Sequence, residues 1–138
     1  MSNGSQKEYV VTEREETARI AQALAKSLRG GEVLALSGGL GAGKTAFVQE
    51  LAMALRVREQ VTSPTFVIIK VYDVTSHGHF TSLCHVDAYR LVSPDELEAV
   101  GFGEYSGRAD TVTAVEWPEN VARLIPANAI KISFEILE

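Results

Sequence analysis

The run Gly38-Gly39-Leu40-Gly41-Ala42-Gly43-Lys44-Thr45 places four glycines, an ammonium group and a hydroxyl within eight residues. It matches the pattern G-x-x-x-x-G-K-[ST] in full, which average residue usage produces by coincidence in roughly one chain in two hundred of this length. Glycines let successive backbone N–H groups turn inward around phosphate oxygens, where side chains would block the approach. A helix that opens at the end of the run adds the partial positive charge of its N-terminus. Lys44 then sets a cation against β- and γ-phosphates, and the Thr45 hydroxyl is placed to ligate Mg²⁺. The candidate nucleotide-binding residues are therefore Gly38, Gly41, Ala42, Gly43, Lys44, Thr45 and Ala46. The plain alternative is a glycine-rich strand-to-helix turn with an incidental Lys-Thr.

A phosphate cradle of this kind also needs a carboxylate at the end of a neighbouring strand and an element that senses the γ-phosphate. Asp87 ends the apolar run Leu83-Cys84-His85-Val86, and Glu116 ends the run from Thr111 to Val115. Both acids are expected on the rim of a sheet where α/β folds bind ligands; a solvated or helix-capping acid is the alternative for each. Ser63-Pro64-Thr65-Phe66 precedes a strand and offers Thr65 as a switch threonine, or else only a turn. Trp117, beside Glu116, reads more readily as core packing than as a stacking platform. His85 reads as a packed strand-end histidine, His77 and His79 as exposed turn residues, and the three form no convincing metal-ligand set.

The elements that must position these groups are legible from periodicity. Thr12 to Arg29 has apolar residues at helical spacing, with Thr12 and Glu15 as a capping box and Gly30-Gly31 beyond the last turn. Glu32 to Leu36 reads as a buried strand feeding the glycine run, and a second helix starts near Lys44 and continues to about Arg56. Thr65 to Tyr72 and Phe80 to Val86 read as a β-hairpin around a turn at residues 73–78. Ser93-Pro94 followed by Asp95 and Glu96 opens a helix that stops by Gly101. Thr111 to Val115 is a further strand, Pro118 starts a short helix, and Ala129 to Leu137 alternates as a final strand. The sum is an α/β three-layer fold of the P-loop NTPase type, with a sheet that is mixed because of the hairpin.

A chain of 138 residues with 46% hydrophobic content is expected to form one domain over 1–138, with residues 1–6 loose. Net charge of −5 argues against independent binding to a nucleic-acid backbone, so any nucleic-acid partner would be reached through another protein. One cysteine, Cys84, permits no internal disulfide, and no apolar stretch approaches the length of a membrane span. A monomer in the cytoplasm, with no membrane partner, is the expectation.

Taken in order, these motifs resemble the TsaE family, formerly called YjeE, bacterial ATPases involved in making threonylcarbamoyladenosine on tRNA. The resemblance runs from the helix after Thr12 through Gly38-to-Thr45, Ser63-Pro64-Thr65-Phe66, His85-Val86-Asp87-Ala88-Tyr89-Arg90-Leu91 and Gly101-to-Tyr105 to Glu116-Trp117-Pro118-Glu119 and the last strand. It implies ATP and Mg²⁺ as cofactors, with Thr45 and Glu116 holding the metal and Asp87, a further candidate ligand, as an essential carboxylate near the γ-phosphate. It implies Lys44, Asp87, Glu116 and the switch residue Thr65 as the catalytic group, Trp117 near the nucleotide and the segment around Thr12 beside the adenine. It also implies action with TsaD and TsaB proteins, whose complex ATP hydrolysis resets between rounds of tRNA modification. Gly39 stands where the family commonly has Asp, Ala46 replaces a frequent second Thr and Ala88 replaces Leu; none of these touches Lys44, Thr45 or the two acids. The competing readings are a small-molecule kinase and a nucleotide-gated binding module without significant turnover. A GTP switch is disfavoured, since neither Asp-x-x-Gly nor Asn/Thr-Lys-x-Asp occurs.

Overall fold

Short apolar runs bounded by glycine and turn residues become strands here, and the amphipathic segments between them become helices. The computed structural model describes residues 8–63, 68–75 and 77–136. In chain order the elements are α1 (Arg14–Ser27), β1 (Val33–Gly38), α2 (Lys44–Ala54), β2 (Ile69–Asp73), β3 (Ser82–Asp87), α3 (Pro94–Ala99), β4 (Thr111–Glu116) and β5 (Ile130–Phe134). Two 3₁₀ segments, Phe102–Glu104 and Pro118–Leu124, flank β4. The five strands form one sheet in the order β2-β3-β4-β1-β5. β1 runs parallel to β4 and β5, β3 runs parallel to β4, and β2 is antiparallel to β3. The expected mixed sheet and hairpin are thus present, with the hairpin strand at the sheet edge.

Alternation along the strands sends side chains to two separate cores. On one face α1 and α2 bury Ala21, Ala25, Phe47, Val48 and Leu51 against Leu34, Leu36, Leu83 and Ala114. On the other, α3 and the 3₁₀ segments bring Leu97, Phe102 and Val121 onto Val33, Cys84, Val86 and Val115. Three layers result, the second helical layer being built from short pieces. Truncating a wholly buried leucine such as Leu34 or Leu97 to alanine is expected to cost about 2–5 kcal/mol. No helix among the described residues is long and apolar enough to cross a membrane.

Several boundaries differ from the sequence reading for identifiable reasons. The capping box of α1 is formed by Glu13 and Glu16, not Thr12 and Glu15. Glu16 accepts from the backbone N–H of Thr12 at 2.6 Å, that of Glu13 at 3.0 Å and the Thr12 hydroxyl at 3.0 Å, so one carboxylate serves three donors. These hydrogen bonds, that of the Thr12 backbone first, hold the Glu16 carboxyl below its ordinary range. Gly30 and Gly31 do take positive φ, 100° and 92°, but the residue that closes α1 is an extended Leu28. His77 is half-buried rather than exposed: its Nε2 lies 2.7 Å from the Ala25 carbonyl oxygen and its ring stacks on Phe80 at 4.3 Å. α3 opens at Ser93-Pro94 as expected, and a capping box not anticipated from the sequence secures it, Ser93 Oγ accepting from Asp95 N–H at 3.1 Å and Glu96 accepting from Ser93 N–H at 3.2 Å. The expected loose residues 1–6, and residues 65–67 of the first hairpin strand, lie outside the described residues.

Candidate nucleotide-binding site

Register decides where the chemistry gathers. Leu36 of β1 stands opposite Glu116 of β4, and Glu116 stands opposite Asp87 of β3, so three parallel strands end at one level. The glycine run leaves β1 two residues beyond Leu36 and enters α2 at Lys44, directly above those acids. Gly41 and Gly43 have φ of 76° and 112°, which glycine adopts without strain. α2 begins without a side-chain cap and with no acid in its first turn. Its N-terminal amides therefore keep their attraction for an anion.

Leu40, Gly41, Ala42, Gly43, Lys44, Thr45 and Ala46 form one wall of a cleft of about 520 Å³, and Ser63, Asp87, Tyr89, Glu116 and Trp117 complete it. Gly38 lies beneath, where a side chain would come within 2.6 Å of the Phe134 carbonyl oxygen of β5. Lys44 is almost buried, at 5% exposure. Its ammonium donates to the carbonyl oxygens of Gly38 at 2.5 Å and Gly39 at 2.9 Å, and it sits 4.1 Å from the centre of the Trp117 ring. Backbone dipoles and an aromatic face thus compensate the buried charge. Trp117 reaches this place through a left-handed backbone, φ 62° and ψ 51°, immediately after β4. It also packs against the second core and lies 5.0 Å from the Tyr89 ring. Core packing and cleft lining are both its roles.

The two acids are held differently. Glu116, 3% exposed, accepts from the Thr45 hydroxyl at 3.1 Å on Oε1 and 3.0 Å on Oε2. His85 Nε2 lies 2.7 Å from Glu116 Oε2. Asp87, 6% exposed, accepts from the Ser63 hydroxyl at 3.0 Å and from the Tyr89 N–H at 2.9 Å. The loop after Asp87 is tied to the segment after Trp117 by Ala88 N–H to Glu116 O at 3.0 Å and Asn120 to Ala88 O at 2.9 Å. Two hydrogen bonds thus link the two rims.

A hydroxyl and a carboxylate that converge beside a glycine run at a helix N-terminus are hard oxygen donors of the kind Mg²⁺ takes. No group of three or more His, Cys, Asp and Glu able to hold a metal occurs among the described residues. Mg²⁺ does not require one, because it keeps several waters and shares substrate phosphates with one or two protein ligands. Thr45 and Glu116 fit that pattern.

The structure therefore brings Gly41 to Ala46, Asp87, Glu116 and Trp117 into one cleft, with Gly38 under its floor. Thr12 stands apart at the head of α1, bonded to Glu16. Thr65 lies outside the described residues, and Arg90 is exposed beyond Tyr89. Ser63, Tyr89 and the His85 contact were not singled out from the residues themselves. For Tyr89 the available signal was an Asp at a strand end followed by a turn, where the Asp side chain accepts the backbone N–H two residues on.

A family model described as "Threonylcarbamoyl adenosine biosynthesis protein TsaE" matches residues 11–138. The chain is similar to the tRNA threonylcarbamoyladenosine biosynthesis protein TsaE of Treponema pallidum (strain Nichols), 39% identical over 123 residues, which is 89% of this chain and 87% of the relative. It is similar to the protein of the same name from Bacillus subtilis (strain 168), 39% identical over 118 residues, covering 86% of this chain and 70% of the relative. Among solved structures, that of Bacillus subtilis YdiB superposes with a TM-score of 0.73 at 32% identity, covering 93% of this chain and 75% of that one.

Proposed function

The chain belongs to the TsaE family, and from that membership and the cleft's geometry we propose that it binds and hydrolyses ATP in the biosynthesis of threonylcarbamoyladenosine on tRNA. The observation that carries the proposal is the convergence of Lys44, Thr45 and Glu116 at the head of an uncapped α2, with Asp87 next in register. Gly41 to Ala46 would bind the phosphates through backbone N–H groups, and Lys44 would leave the Gly38 and Gly39 carbonyls to meet the β- and γ-phosphates. Thr45 and Glu116 would hold Mg²⁺, which neutralises phosphate charge when bound. Asp87, one strand further from Thr45, orients the attacking water, whose oxygen forms a bond to the γ-phosphorus as the bond to the β–γ bridging oxygen breaks, giving ADP and phosphate. Trp117 and Tyr89 line the same cleft.

Lys44 is the one cation among the described residues lining the cleft, so turnover by the chain alone is expected to be slow, with TsaD and TsaB partners supplying or positioning further charge. The acidic net charge of −5 accords with tRNA being reached through that complex. The test is capture of TsaD and TsaB by this protein with ATP, ADP or no nucleotide, followed by assays of hydrolysis and tRNA modification. Nucleotide-dependent capture with partner-stimulated hydrolysis supports the proposal. Capture that follows nucleotide, with modification undiminished when hydrolysis is blocked, would favour a nucleotide-gated binding module instead.

A further inference from the structure

We propose that His85 is a positioning residue for Glu116, fixing through its Nε2–H which carboxylate oxygen is left to face the nucleotide and its metal; the inference rests on the reading of the cleft given above. The ring has no solvent exposure, and its Nε2 lies 2.7 Å from Glu116 Oε2. An ionised carboxylate only accepts, so Nε2 carries the proton and donates. In the β3–β4 register His85 stands opposite Ala114 and Asp87 stands opposite Glu116. His85 therefore lies one step below the rim on the same sheet face and reaches Glu116 along the diagonal.

Nothing else described accounts for a polar ring at this position. Its other nitrogen, Nδ1, is buried and has no hydrogen-bond partner among the described residues. An apolar side chain would fill the same space without leaving a nitrogen unsatisfied, so the ring's polar bonding is directed at Glu116 alone. The consequence is an asymmetric carboxylate. The single Thr45 hydroxyl proton is shared between Oε1 and Oε2, whereas among the described residues the His85 ring nitrogen bonds Oε2 alone. Each oxygen offers two lone pairs, so Oε1, with only a share of the Thr45 proton, keeps more acceptor capacity for the cleft than Oε2. Groups that orient a metal-binding carboxylate in this way typically change metal affinity or activity by about 10–100-fold when removed.

The test compares His85→Leu, which keeps volume but donates nothing, with His85→Gln, whose amide restores a donor at similar reach. Each is also combined with Glu116→Gln. ADP affinity is measured by calorimetry with and without Mg²⁺, ATP hydrolysis is measured against Mg²⁺ concentration, and folding is checked by thermal melting. His85→Leu is expected to weaken the Mg²⁺-dependent part of both by about 10–100-fold while metal-free ADP affinity stays unchanged. His85→Gln should recover most of the loss, and His85→Leu should add nothing in the Glu116→Gln background. Equal Mg²⁺ dependence in the Leu and Gln variants, or a loss that persists without the Glu116 carboxylate, overturns the inference. Should the Leu variant not fold, a long-range ¹H–¹⁵N spectrum of the nucleotide-free wild-type protein still decides, with the proton on Nε2 expected and a proton on Nδ1 alone contradicting it. A wild-type protein whose nucleotide binding ignores Mg²⁺ and Glu116→Gln alike would remove the reading of the cleft and this inference together. A Mg²⁺-dependent wild type with a silent His85→Leu removes this inference alone.

Discussion

Two glycine turns lie at opposite ends of β1, and they use glycine for different reasons. At Gly30, φ is 100° and a Cβ would stand 2.0 Å from the Ala109 carbonyl oxygen, so the protein's own backbone fills the space. At Gly41, φ is 76° and nothing lies within 4 Å of where a Cβ would be. One turn is closed by packing, the other is left open above two buried acids. Glycine at the first serves folding, and at the second, on the proposed function, it would keep room for a phosphate.

That contrast is broken most directly at the packed end. Gly30→Ala combines left-handed strain with an overlap against backbone, and is expected to destabilise the protein by about 3 kcal/mol. The expected result is a markedly lower melting temperature with nucleotide affinity of the folded fraction unchanged; a loss of affinity at full stability would contradict the contrast.

Packing of a different group gives the next effect. Cys84 is wholly buried among apolar side chains, and burial pushes its thiol from an ordinary 9.0 up to about 12. The unfolded chain sheds this proton near pH 9 while the folded chain keeps it, so the associated stability is complete below pH 9 and is lost as pH rises toward 12. At pH 10 the loss is about 1.4 kcal/mol. Melting curves of wild type and Cys84→Val from pH 8 to 10.5 should diverge as pH rises, the wild type falling faster; parallel curves would refute the assignment.

At the open turn the balance reverses. Gly41→Ala carries only the left-handed strain, about 1 kcal/mol, yet it sets a methyl group where, on the proposed function, a phosphate would approach the backbone. Calorimetry should show ATP affinity reduced about tenfold, equivalent to about 1.4 kcal/mol. The smallest effect is expected at Gly39, which has open space and no positive φ. Gly39→Ala should leave the melting temperature unchanged or raise stability by about 0.5 kcal/mol through the unfolded state.

Much of this arrangement was legible in the sequence because local rules decide it. The strand–glycine run–helix unit, the hairpin, the helix opening at Ser93-Pro94 and the acids at the ends of β3 and β4 follow from spacing and residue type. The remainder depends on relations that local patterns do not encode. The diagonal from His85 to Glu116 follows from the β3–β4 register, and the packing of Lys44 on Trp117 depends on a left-handed residue after β4. The α1 cap moved by one residue because Glu13 and Glu16 satisfy the same donors in competition with Thr12 and Glu15. His77 became half-buried because the end of α1 presents the Ala25 carbonyl to it.

On the proposed function, the open turn receives a triphosphate through Lys44. Calorimetric titration of ATP with Mg²⁺ into wild type and Lys44→Ala, both checked for folding by circular dichroism, tests it most directly. Wild type is expected to bind, and the variant to bind about 100-fold more weakly or worse. Equal affinity in the two proteins, or no binding by a folded wild type, would contradict it.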